Sequence, residues 1–251
     1  MIRSSNPVLS EKMFAGEYAS TGDVMTIEGT VNRTFIAVLL TMGAAYWSFM
    51  DATFHSMPVL FGSMIAGFIV ALVVSFKHSW APLLTPLYAI LEGIFLGGIS
   101  LLYAAAVPAA EGGFDGSVGL NTGIIFQAIA LTFGTLLAML AAYRGGFVKV
   151  TEKFQMMMVA AMGGIAVVYL ISIVMNLFGT QMPYIHGSGP IGIGFSLFVV
   201  GIAAFSLALD FDLIERAASS RSAPKYMEWY GAFALLVTLV WLYLEILRLL
   251  S

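Results

Sequence analysis

Four carboxylates stand within or at the ends of long apolar runs of this chain: Glu92, Asp210, Asp212 and Glu245. An ionisable group held within a bilayer costs a few kcal/mol, so such groups mark ion pathways, proton relays or specific pairings. Glu92 lies in Leu91-Glu92-Gly93-Ile94-Phe95-Leu96-Gly97 with no basic neighbour on its own run. It must face a water-filled cavity, find a donor on another helix, or carry a proton. Proton sensing is the functional reading, and a structural hydrogen bond between helices is the bland one. Asp210 and Asp212 are two residues apart, so on a helix they point about 200° from each other. One is expected to face inward, the other the headgroups or a basic neighbour, and Asp210 is the deeper. Glu245 stands three residues before Arg248, and an i,i+3 ion pair can neutralise it on its own helix.

Other residue types offer less chemistry. His55, His78 and His186 are single and without metal-ligand spacing. No Ser/His/Asp grouping and no phosphate-binding loop is visible, so an enzyme is not expected. Met156-Met157-Met158 reads as packing in preference to a copper site. Trp80, Tyr184, Trp229 and Tyr230 sit at the ends of apolar runs and read as an interfacial aromatic belt. The last lysine, Lys225, falls between runs, which excludes a retinal Schiff base in the final helix. The absence of cysteine excludes disulfides, thiolate nucleophiles, Cys-ligated zinc and iron–sulfur clusters.

The elements that must position these carboxylates follow from composition. The 251 residues are 60% hydrophobic and 10% charged, with a net charge of −3. A soluble domain carries about 25% charged residues. So few charges cannot cover a water-exposed surface, and a disordered chain would need the opposite balance. With 11 Lys and Arg in all, nucleic acid is not an expected partner. The chain reads as a polytopic membrane protein whose first partner is the lipid bilayer.

A spanning helix needs about 20 mostly apolar residues. Seven such runs occur, near 34–50, 58–76, 83–107, 122–143, 157–179, 190–210 and 229–250. Charged residues and glycines separate them, as in Lys77-His78-Ser79, Arg144-Gly145-Gly146 and His186-Gly187-Ser188-Gly189-Pro190. Outer-membrane strands would alternate over about 10 residues, so these continuous runs predict an all-α bundle. The polar opening, residues 1–33, forms an N-terminal arm without an apolar signal region, and residues 34–251 form one seven-helix domain. The loop at about 107–121 is rich in glycine and acid and is expected to be mobile. Asn32-Arg33-Thr34 matches a glycosylation sequon and reads as a chance match. No internal repeat supports an inverted-repeat transporter.

With seven spans, ten of the 11 basic residues fall on the side of the N-terminus, leaving Arg248 alone opposite. By the positive-inside rule the N-terminus is cytoplasmic and the C-terminus outside, in the cytoplasmic membrane of the cell.

The chain also resembles a known family. Ser5-Asn6-Pro7-Val8-Leu9-Ser10-Glu11-Lys12 is similar to the start of prokaryotic members of the Bax inhibitor-1 (transmembrane Bax inhibitor motif) family. So are Glu92-Gly93-Ile94-Phe95-Leu96-Gly97, Tyr143-Arg144-Gly145-Gly146-Phe147, Thr151-Glu152-Lys153-Phe154, Leu209-Asp210-Phe211-Asp212-Leu213-Ile214 and the ending from Leu242 to Leu250. The resemblance covers nearly the whole chain. It implies a bundle whose seventh helix is ringed by the other six, and a pH-sensitive calcium leak. In such a channel an aspartate on helix 6 and one on helix 7 share a proton and latch the pore. Asp210 falls on the helix-6 aspartate, but the helix-7 position is Thr238. Glu245 lies about 10 Å further along helix 7, so direct contact with Asp210 is not expected. Thr238, Glu92 and Asp212 remain as partners for Asp210.

The expectation is a proton-gated cation leak with Asp210, Asp212 and Thr238 at the sensor, and Glu92 and Glu245 as pore acids. Calcium prefers hard oxygen ligands, so Asp210 and Glu92 are its candidate contacts, as a transported ion and not a cofactor. The resemblance also offers another class, a modulator of a membrane-bound protease engaged through the arm. Coupled solute uptake would mark a third, a secondary transporter.

Overall fold

The computed structural model describes residues 24–107, 120–179 and 189–251. Tyr184, His186, most of the loop at 107–121 and the arm before residue 24 lie outside them. The seven expected helices are present: α1 (Ile27–Met50), α2 (Met57–Phe76), α3 (Ala81–Ala106), α4 (Thr122–Arg144), α5 (Glu152–Leu177), α6 (Pro190–Ser219) and α7 (Met227–Leu250). Each is long and apolar enough to cross a membrane.

Local chemistry sets the helix ends. Thr26 caps α1 by accepting from the Gly29 amide, so α1 starts seven residues before its apolar run. Proline stands in the first turn of α2, α3 and α6, where its missing N–H is not needed. After α4, Gly146 adopts φ 71° and turns the chain, as the Arg144-Gly145-Gly146 breaker predicts. Between α1 and α2, Asp51 accepts from the amide and hydroxyl of Thr53. These two donors hold its exposed carboxyl below the usual range. The differences from the expected bounds are largest at α6, which runs nine residues past Asp210.

Helix α7 is the centre of the bundle and the most buried of the seven. The ring around it is uneven. Helices α1, α3, α4 and α6 pack directly on α7, while α2 leans on α3 and α5 on α6. The core follows α7, with Phe233, Leu242 and Leu247 meeting Ala37, Tyr88, Ala128 and Leu207 from the surrounding helices. Large apolar side chains such as Phe35, Phe68 and Leu170 are exposed on the outside, as a lipid-facing surface requires.

Helix α3 lies closest to α1, and the glycine pair in its middle is the reason. A Cβ on Gly93 would stand 2.5 Å from the Thr41 carbonyl oxygen, and one on Gly97 would stand 2.4 Å from that of Ala45. Only glycine permits this approach. The Ser48 hydroxyl seals it by donating to the Ile94 carbonyl at 2.9 Å.

Candidate functional site

Asp210 is fully buried, with 0% of its surface exposed. The Thr238 hydroxyl on α7 donates to its Oδ2 at 2.6 Å and to the Ala234 carbonyl at 3.3 Å. This bond ties α6 to the central helix. Of the three partners open to Asp210 from the sequence, Thr238 is bonded to it. Because α6 continues to Ser219, Asp210 sits nine residues, about 13 Å, inside the helix and not at its end.

Asp212 points away from Asp210, as their spacing requires, but it too is buried. Its Oδ2 pairs with Arg216 Nη2 at 2.9 Å, one turn on. The Tyr143 hydroxyl of α4 lies 3.4 Å from Asp212 and donates to Glu215 at 2.6 Å. Both aspartates are buried because α6 is covered twice, by α7 on one face and by α4 on another. The basic-neighbour reading of Asp212 therefore holds.

Glu92 is half-buried on the face of α3 turned to α2. Its carboxylate lies where a Cβ on Gly67 would stand 3.1 Å from Oε1. Its hydrogen-bonding neighbour is the Tyr88 hydroxyl, one turn back on its own helix. Tyr88 in turn packs edge-on against Phe233 of α7. Glu245 accepts from the Tyr169 hydroxyl of α5 and faces Arg248 Nη1 at 3.8 Å, so its same-helix pairing is present. Arg248 also donates to the Tyr169 hydroxyl at 3.1 Å. The four acids thus occupy separate settings. Among the described residues no three His, Cys, Asp or Glu side chains gather to hold a metal.

A fifth buried carboxylate, Glu228, escaped the sequence reading. It is 2% exposed at the start of α7. Its Oε1 accepts from the Thr26 amide at 3.2 Å and the Thr26 hydroxyl at 2.9 Å. Arg33 Nε lies 3.9 Å from Oε2, and its guanidinium stacks 5.1 Å above the Trp229 ring. The Met25 amide donates to the Ala223 carbonyl at 2.9 Å, and Val24 bridges Pro224. The beginning of α1 is thereby clasped to the beginning of α7. The available signal was an acid in the first turn of a helix, a favoured place against the helix dipole. Starting the seventh run at Trp229 hid it.

The aromatic-belt reading needs one correction. Tyr230 is wholly buried, packed between His78 and Phe233, because its face of α7 turns inward. Trp80 is exposed with Lys77 Nζ 4.0 Å from its ring centroid, and Trp229 carries Arg33. Of the methionine triplet, Met156 and Met157 are exposed and Met158 is buried. His55 Nε2 lies 3.0 Å from the Phe49 carbonyl oxygen.

Six apolar helices around a central seventh, with a carboxylate buried between the last two, define a multi-pass helical membrane protein. The Bax inhibitor 1 like family model matches residues 6–251, and the chain belongs to that family. No curated protein and no solved structure matches it.

Proposed function

We propose that this protein is a pH-sensitive cation leak channel of the cytoplasmic membrane, with calcium as the transported ion and Asp210 as the proton-responsive gate. The observation that supports it is the Asp210–Thr238 bond. A carboxylate with no exposed surface joins α6 to the central helix through a hydroxyl donor. An ionised carboxylate only accepts hydrogen bonds, whereas a protonated one also donates. Adding a proton therefore changes the charge and the donor pattern at the α6–α7 contact together, which is what a gate needs. Three titratable groups on the helices packed around α6 are engaged elsewhere. Tyr143 meets Asp212 and Glu215, Tyr169 meets Glu245, and Arg33 meets Glu228.

The ten-to-one division of basic residues supports a cytoplasmic N-terminus and an outer C-terminus. In that frame Asp210 and Asp212 stand toward the cytoplasmic half and Glu245 toward the outer end. Glu92 and Glu245 are the further acids from which cation selectivity would come.

The test is calcium entry into liposomes holding the purified protein, measured from acid to neutral pH beside Asp210→Asn. The expected result is a flux that depends on pH in the parent and loses that dependence in the variant. Identical pH profiles would refute the role of Asp210. Absence of flux at every pH would refute the channel, and the arm as a ligand for a membrane protease would then be tested by pull-down.

A further inference from the structure

A cavity of about 490 Å³ opens sideways between α1 and α4, floored by α3 and α7. It is separate from the Asp210 contact. Tyr46, Met50 and Phe126 stand at its exposed mouth, and Ser100 and Tyr243 are buried at its floor. Along α1 its lining runs from Val38 to Met50, about 18 Å, and along α4 from Thr122 to Phe133, about 16 Å. Both stretches begin at the same end of the bundle, the C-terminal end of α1, and stop in its middle. The hydrocarbon core of a bilayer is about 30 Å thick, so this groove is one leaflet deep.

Its chemistry is uniform. Among the described residues no Asp, Glu, Lys, Arg or His lines it. Four of its six hydroxyls are already engaged: Thr41 donates to the Ala37 carbonyl, Thr132 to that of Ala128, and Ser100 is bonded to Leu96 and to the Tyr243 hydroxyl, while Tyr46 stands at the mouth and Thr122 at the start of α4. A charged headgroup would meet no counter-charge there, and a polar ligand would find those partners taken. The volume lies within the range of about 300–1,000 Å³ usual for small-ligand sites.

We infer that this groove is a binding site for a single acyl chain of a membrane lipid, entering from the leaflet at the C-terminal end of α1. Length, neutrality and a mouth opening between two membrane helices all fit that occupant. The chain would lie against Leu236, Leu239 and Tyr243 of the central helix.

Photolabelling tests this. The full protein is reconstituted in phosphatidylcholine vesicles doped with phosphatidylcholine carrying a diazirine on one acyl chain. After irradiation, adducts are mapped by mass spectrometry. Phe68, on the outer face of α2, reports ordinary boundary lipid. The expected result is an adduct at the buried Tyr243 as well as at Phe68, and loss of the Tyr243 adduct alone when Ile129→Trp fills the groove. Labelling at Phe68 without Tyr243 in the parent protein would overturn the proposal, whether or not the variant folds. So would an unchanged Tyr243 adduct in Ile129→Trp. Protection of Tyr46, Phe126 and Tyr243 together would show that a second protein chain covers the groove, and would equally overturn it.

Discussion

Adding one methyl group at Gly29 should loosen the clasp between α1 and α7. Helix propensity alone says the reverse, since alanine inside a helix is favoured over glycine by about 1 kcal/mol. The structure reverses the sign. A Cβ on Gly29 would stand 2.0 Å from Oε1, 2.2 Å from Cδ and 2.4 Å from Oε2 of Glu228. The carboxylate must move, and it then loses the two donors of Thr26. Hydrogen bonds to a charged group contribute about 1.5–3 kcal/mol each. Two of them outweigh the propensity gain, although the side chain can recover part of the loss by swinging toward Arg33. A net destabilisation of about 2–3 kcal/mol is expected, or roughly 4–12 °C in melting temperature for a chain of this size. Thermal unfolding of the purified protein followed by circular dichroism measures it. The same substitution on a Glu228→Ala background has no carboxylate to displace, so there Gly29→Ala should be neutral or stabilising. A Gly29→Ala protein as stable as the parent, or an equal loss on both backgrounds, would refute the clasp.

Two further outcomes follow from the geometry. Gly97→Val puts its side chain against the Ala45 backbone, which cannot swing aside. It should cost at least about 1–3 kcal/mol through forced separation of α1 and α3, read as a lower melting temperature. At the turn between α1 and α2, Thr53 holds the Asp51 carboxyl below its ordinary value of 3.8. A depressed folded-state value means that the turn is fully supported above pH 3.8 and loses that support as pH falls through the lower folded value. The Thr53 amide resonance should therefore titrate with a midpoint under 3.8, and a midpoint at or above it would contradict the assignment.

The seven helices were legible because spanning a membrane is a local property. Twenty consecutive apolar residues satisfy it wherever the rest of the chain lies. Helix ends were less legible. Ile27–Arg33 carries Glu28 and Arg33 and reads as arm, yet the Thr26 cap and the contact with Glu228 make it the first turns of α1. Likewise Asp212, Glu215 and Arg216 read as the end of a span, but the Arg216 pair and Tyr143 carry α6 on to Ser219.

The sequence by itself determined the class of protein, the helix count, the family resemblance and Asp210 as the deeper acid of its pair. It also shows Gly93 and Gly97 four residues apart, the spacing of a close helix approach, though not against which helix. Only the tertiary structure decided that the approach is to α1, that Asp210 bonds Thr238, that Tyr230 turns inward and that Glu228 clasps the two ends. The reason is physical. Hydropathy is a sum along the chain, whereas the partner of a buried polar group depends on how each helix is rotated against neighbours distant in sequence. Asp210 and Thr238 are 28 residues apart, Thr26 and Glu228 are 202, and no periodicity within one helix records either pairing.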